Sequence, residues 1–217
     1  MPVITIRSKH GSGSSEIGQL IAQKLRIDYV DQKIIADVAE LLRTSSQSIA
    51  DKEMPPSSFL GRIAETMGST AIFDSDLQDI YLPMLEIPLD NNHYLSGLQH
   101  VIKKMAECQS IVIRGRGAQF ILKDFPDVFH VMVVAPMNVR VKSVMESMKT
   151  DKNTARDEIT RFDNGMHNFF KRYFNADADD PVYYDLVINS GNFSVQAAAS
   201  IVVDALSLKD KIAGIQS

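Results

Sequence analysis

"ITIRSKHGSGSSEIGQLIAQKL", residues 4–25, decides the fold. A short β-branched run passes into a glycine–serine turn. Apolar residues then recur at Ile17, Leu20, Ile21 and Leu25, which is helical spacing. The stretch reads as a buried strand over Val3–Ile6, a tight turn and an amphipathic helix. Gly11 and Gly13 permit positive φ and let a bound group approach the backbone closely. The N–H groups of Gly13, Ser14 and Ser15 would then point toward the helix mouth, where the helix dipole favours an anion. This is the form of a phosphate-binding loop. Two stricter patterns fail on it. GxGxxG requires glycine where Glu16 stands, and GxxxxGK[ST] meets Ser8 at its first glycine and Ser14 at its lysine. A plain strand–turn–helix, with Gly13 near the N-cap and Glu16 in the first turn, fits the same letters.

Outward from this unit, the chain alternates strand and helix. "IDYVD" (27–31) reads as a second strand and "QKIIADVAELLR" (32–43) as a helix. The period loosens over 44–92, where Pro55–Pro56 breaks any helix, so short helices and loops forming an insertion are expected there. Helical spacing returns in "HYLSGLQHVIKKMAEC" (93–108). "SIVIRGRG" (110–117) and "VFHVMVVAP" (128–136) read as strands, followed by a helix from about 137 to 148. Residues 153–174 read as a long charged helix interrupted near Gly165, 183–190 as a last strand and 194–208 as a last helix. Five short buried strands alternating with helices predict an α/β fold, a mostly parallel sheet with helices on both faces. Ligands of such sheets bind beyond the carboxyl ends of the strands, here at 7–16, 31–33, 114–117, 134–140 and 189–192.

Composition bounds the function. A chain of 217 residues, 45% hydrophobic and 23% charged, suits one globular α/β domain, 1–217. Cys108 is the only cysteine, which excludes an intrachain disulfide or a cysteine zinc cluster and fits a cytoplasmic setting. A net charge of −4 argues against a general nucleic-acid binder. No apolar run approaches the roughly 18 residues of a membrane span, and "MPVITIRSKH" has no signal-peptide pattern. His93, His100, His130 and His167 show no metal-ligand spacing, so no structural metal is expected.

Three motifs in order carry a family resemblance. "GSGSSEIGQLIAQKL" followed by "YVDQKII" is similar to an opening Gly-Ser-Gly-Gly-Arg-Glu-Ile and Tyr-Tyr-Asp-Arg-Glu-Ile. "SIVIRGRGAQFILKDFPDVFHVMVVAPMNVRVKSVME" (110–146) and "KRYFNADADDPVYYDLVINSGNFSVQAA" (171–198) supply the middle and the close. Together they resemble the cytidylate kinase-like family of P-loop nucleoside monophosphate kinases. The resemblance implies a five-stranded kinase fold, an NMP-binding insertion at 44–92 and a mobile lid at about 150–172. It also implies transfer of the ATP γ-phosphoryl group, with Mg2+, to a nucleoside monophosphate or related small acceptor. Gly11, Ser12 and Gly13, continuing into Ser14 and Ser15, fall on the phosphate loop. Asp31 falls on the acidic residue after the second strand, Arg116 on the turn arginine that meets the acceptor, and Arg140 on the arginine of Pro-x-x-x-Arg. The chain departs from true cytidylate kinases at Ser14 (lysine), Ser15 (arginine), Gly117 (acidic), and Asn164 and Met166 (lid arginines), while Asp163 matches.

Phosphoryl transfer is positioning plus neutralisation of charge, so cations near the loop are the candidates. Arg7 and Lys9 flank it, Arg114 and Arg116 end a strand, and the lid offers Arg161, Lys171 and Arg172. Lys9 is the candidate substitute for the loop lysine; its alternative is a side chain in solvent. Arg116 suits an acceptor phosphate through its guanidinium fork, or a salt bridge to Asp31 or Asp127. Arg114, Arg140 and Arg161 are further substrate contacts, Arg114 alternatively a strand-end charge. Asp31 suits magnesium through water or an acceptor hydroxyl, or an N-cap of 32–43. Glu16 suits magnesium through water or a helix cap, and His10 a phosphate or plain surface. Two readings of function stand: a nucleotide-type kinase, and a non-catalytic nucleotide-binding or regulatory protein on the same fold. A dinucleotide-binding oxidoreductase is a distant third, weakened by Glu16. Small-molecule nucleotides are the expected partners; a homo-oligomer is left open.

Overall fold

The apolar run at the start of the chain becomes the middle of the sheet. In the computed structural model, β1 spans Val3–Ser8. Residues 1–31 and 92–216 are described, with side chains at 1–31 and 98–209. β2 (Asp28–Val30), β3 (Ile111–Arg114), β4 (Val128–Val134) and β5 (Leu186–Asn189) complete the sheet. The order is β2-β3-β1-β4-β5 and every pairing is parallel. β1 lies in register with Ile111–Arg114 on one side and Val128–Val133 on the other.

Burial on both faces is what a parallel sheet requires. Ile4 and Ile6 point to one face, where they meet Val112, Val131 and Val133 beneath α1 (Ser14–Leu25) and the last helix, α6 (Val195–Gln216). Val3, Ile111, Ile113 and Val128 point to the other. They pack under α2 (Asn92–Cys108), the short α3 (Ala118–Ile121) and the end of α5 (Lys152–Phe174). α4 (Met137–Met148) docks on the start of α5 through Val141, Val144, Ala155 and Ile159. The Asp151 carboxylate starts α5 by accepting from the backbone N–H of Asn153 (2.8 Å) and Thr154 (3.2 Å).

Three expectations are corrected. α5 runs unbroken through Gly165. A mid-helix glycine costs about 1 kcal/mol, and the burial of Met166, Phe169 and Phe170 just beyond it offsets that cost. The last strand begins at Leu186, because Pro181–Tyr183 forms a 3₁₀ turn capped by Asp180. α6 continues past 208 to Gln216. The expected helix over 32–43 and the insertion over 44–92 lie outside the described residues, apart from Asn92 at the start of α2.

The strand order also fixes where a ligand can sit. From β1 the chain runs first to β2 and β3 on one side, then to β4 and β5 on the other. The carboxyl end of β1, between β3 and β4, is therefore a topological switch point.

Candidate nucleotide site

At that switch point β1 gives way to a loop with two left-handed residues, Gly11 (φ 78°) and Gly13 (φ 72°). Gly11 is also forced by space: a Cβ there would lie 2.8 Å from the Arg140 carbonyl oxygen. Around Gly13 a Cβ would meet nothing within 4 Å, so this side of the turn is open. Gly13 is the N-cap of α1 and offers no side-chain acceptor. The first N–H groups of a helix have no intrahelical partner. Ser14 and Ser15 begin α1 and line the opening together with Glu16. An anion is the complement of such a mouth.

The loop is tied down from three sides. The Ser12 N–H donates to the Lys9 carbonyl at 3.1 Å. The Ser190 hydroxyl donates to the Ser12 carbonyl (2.7 Å) and to that of Val134 (3.1 Å), which joins the tail of β5 to the loop. Arg140, buried on α4, donates to the His10 carbonyl (3.3 Å) and pairs with Asp163 of α5 (2.7 Å). The His10 ring stacks on Phe162 with centroids 4.7 Å apart. Burial pushes the His10 pKa below its ordinary value; Glu158 and Asp163 pull it back, while Arg140 and Arg114 add to the fall.

These contacts frame a cleft of about 310 Å³ lined by residues 7–16, Arg114 at the end of β3 and Gly115 just after it, Ser143 and Ser147 from α4, and Phe162 and Met166 from α5. Of the expected site residues, Lys9, Gly11, Ser12, Gly13, Ser14, Ser15 and Arg114 all line it. Lys9 does not simply project into solvent: its ammonium is ion-paired to Asp179. Arg114 donates from Nε to the Tyr29 hydroxyl (2.8 Å) and lies 3.7 Å from Asp31, while Ser15 Oγ is 3.3 Å from the same hydroxyl. Asp31 thus meets the loop through Arg114. Arg116 is buried in a left-handed turn conformation (φ 55°) between two positive-φ glycines and is not among the residues that line the cleft. Arg140 braces the loop from beneath. Arg161 is on the outer face of α5, paired with Glu158 at 2.7 Å.

Sequence reasoning missed Ser143, Ser147 and Phe162, and named Met166 only as a departure at a lid-arginine position. Ser143 and Ser147, like Phe162 and Met166, are one helical turn apart, the spacing of a common face, but nothing in the letters says which face borders a loop more than a hundred residues away. Asp179 was missed as well. For magnesium, Ser15 and Glu16 in the cleft lining offer hard oxygens, the kind that Mg2+ takes alongside substrate phosphates and water, while Asp31 is placed next to Arg114.

The sequence model of the cytidylate kinase-like family matches residues 3–192. The cytidylate kinase of Methanococcus aeolicus is 23% identical over 212 residues, 96% of this chain and 99% of that protein. That of Methanosarcina barkeri is 24% identical over 209 residues, covering 94% and 97%. Among solved structures, a protein from Eubacterium ventriosum superposes with a TM-score of 0.68 at 20% identity, covering 95% of this chain and 99% of that one. A gluconokinase from Sinorhizobium meliloti superposes at 0.52 with 12% identity, covering 100% and 97%. These two likenesses concern the fold. Among the described residues no helix is long and apolar enough to cross a membrane.

Proposed function

We propose that this chain, which belongs to the cytidylate kinase-like family, is an ATP-dependent phosphotransferase acting on a nucleoside monophosphate or a related small acceptor. The observation that carries the proposal is the left-handed Gly11–Gly13 turn, open at Gly13 and feeding α1 in a cleft lined by Arg7, Lys9 and Arg114. The loop amides and the first turn of α1 hold the triphosphate. This part of the cradle is backbone and does not need the lysine that Ser14 replaces. Ser15 with Asp31 would hold magnesium, which when bound supplies charge neutralisation at the phosphate oxygens. Arg114 meets the acceptor phosphate from the β3 side. Arg116 supports the same subsite from the buried turn that follows β3. The stretch at about 150–172, which includes most of α5, would act as the lid, with Phe162 and Met166 excluding water from the cleft. Residues 44–92 are assigned to the acceptor-binding region.

Titration calorimetry with ATP and magnesium tests the binding half: saturable binding is expected, and its absence overturns the proposal. Arg114→Ala is expected to weaken nucleoside monophosphate binding more than ATP binding, by about 2–4 kcal/mol for a desolvated charged contact. Equal losses for both ligands would remove Arg114 from the acceptor subsite.

One observation favours a second reading, a nucleotide-binding protein without turnover. Lys9 and Arg7 are both engaged by Asp179, and Arg140 by Asp163, so the cations near the loop carry internal counter-charge. Binding of ATP without turnover on any acceptor would decide for it.

A further inference from the structure

We infer that Arg7 and Lys9 form a phosphate subsite at the floor of the cleft, and that Asp179 fills it as an internal counter-ion which an incoming phosphate displaces. The ligand's identity rests on the phosphotransferase reading; the subsite itself rests on the following contacts.

Alternation along β1 places Arg7 on the face of Val3 and Thr5, where the sheet packs on α5. That position is 4% exposed, and a guanidinium there must be matched to offset its desolvation. It is matched poorly. One terminal nitrogen donates to the Ser8 carbonyl. The other lies 3.6 Å from an Asp179 oxygen, beyond a good hydrogen bond. The guanidinium carbon sits 5.2 Å from the centroid of the Phe170 ring. The buried Nε has no hydrogen-bond partner among the described residues. Burial also pushes the Arg7 pKa below its ordinary value.

Asp179 is shared. Its second oxygen pairs with Lys9, so one carboxylate serves two cations and the floor of the cleft keeps a net positive charge. Arg7 and Lys9 both line the same cleft as the loop amides. The Asp179 side chain is 40% exposed and sits between α5 and the Pro181–Tyr183 turn. Its release into water therefore costs little. A phosphate offers more charge and more acceptor oxygens than a carboxylate, and it suits a guanidinium whose donors are incompletely used.

The test uses the full chain and tripolyphosphate, followed by calorimetry. Asp179→Asn is expected to bind tripolyphosphate at least fivefold more tightly than the wild type, and Arg7→Gln added to it to abolish the gain. Equal or weaker binding by Asp179→Asn, including no measurable binding by either protein, overturns the inference. ATP and a nucleoside monophosphate are titrated in parallel. Where tripolyphosphate tightens, whichever of the two tightens with it says whose phosphate the subsite takes. Should the variant fail to fold, the wild-type Arg7 Nε–H resonance is followed by NMR as tripolyphosphate is added. A saturable shift is expected, and an unchanged resonance at saturation overturns the inference. None of these readouts requires turnover, so a protein that binds as expected but transfers nothing would refute the kinase reading and leave the subsite standing.

Discussion

Gly11 and Gly13 both hold positive φ, yet they resist substitution for different reasons. At Gly13 the cost is conformational alone, because a side chain would enter open space. Alanine there should destabilise the protein by about 1–2 kcal/mol. At Gly11 the same cost is joined by a clash with the Arg140 carbonyl at 2.8 Å, adding roughly 1–3 kcal/mol of overpacking. Urea denaturation should therefore rank Gly11→Ala well below Gly13→Ala; equal losses would contradict the described loop. The glycines were legible in the sequence, because their residue type reports their backbone need. The counter-ion of Lys9 was not, since Asp179 lies 170 positions away. Histidine sets a second expectation at this scale. Burial holds His10 and His130 below the ordinary value of 6.5, with Asp185 opposing and Lys209 assisting at His130. Because the unfolded chain takes up these protons first, stability should be full above about pH 6.5 and fall as the pH drops toward the folded values. Denaturation midpoints at pH 7.5 and 5.5, on the order of one unit either side of that value, check it; a midpoint that rises on acidification would contradict it.

α5 is the element that differs most from its sequence reading. Gly165 in a polar, charged stretch reads as a break, but the helix is held from both ends. Ala155 and Ile159 dock on α4, while Phe169 and Phe170 enter the main core. Tertiary burial of this kind is invisible to local periodicity. α5 also reaches the loop directly, through Phe162 on His10 and Asp163 on Arg140. The Arg140 guanidinium thus joins three elements: α4, α5 and the loop after β1. A thermodynamic cycle over Arg140→Met and Asp163→Asn should give a coupling energy of about 0.5–3 kcal/mol. Arg140→Met should cost more than Asp163→Asn, because it also removes the donor to the His10 carbonyl. A coupling indistinguishable from zero would mean that the ion pair does not link helix and loop in solution.

For the whole molecule, the alternation of strands and helices was enough to give a parallel sheet covered on both faces. It could not give the order β2-β3-β1-β4-β5, because strand pairing is set by long-range packing rather than by any one segment. That order matters, since it puts the glycine turn at the switch point, with Arg114 arriving from β3 and Ser190 from the end of β5. Family membership and this geometry both support the proposed phosphate-binding cleft; Ser14, where the resemblance expects a lysine, is the point at which that proposal is most exposed to test. The most direct test is a phosphotransfer screen of the wild-type chain with ATP and magnesium against a panel of nucleoside monophosphates and nucleosides, following ADP and phosphorylated acceptor together. At least one acceptor is expected to be phosphorylated with equal formation of ADP. ATP that binds but is never transferred to any member of the panel would contradict the account.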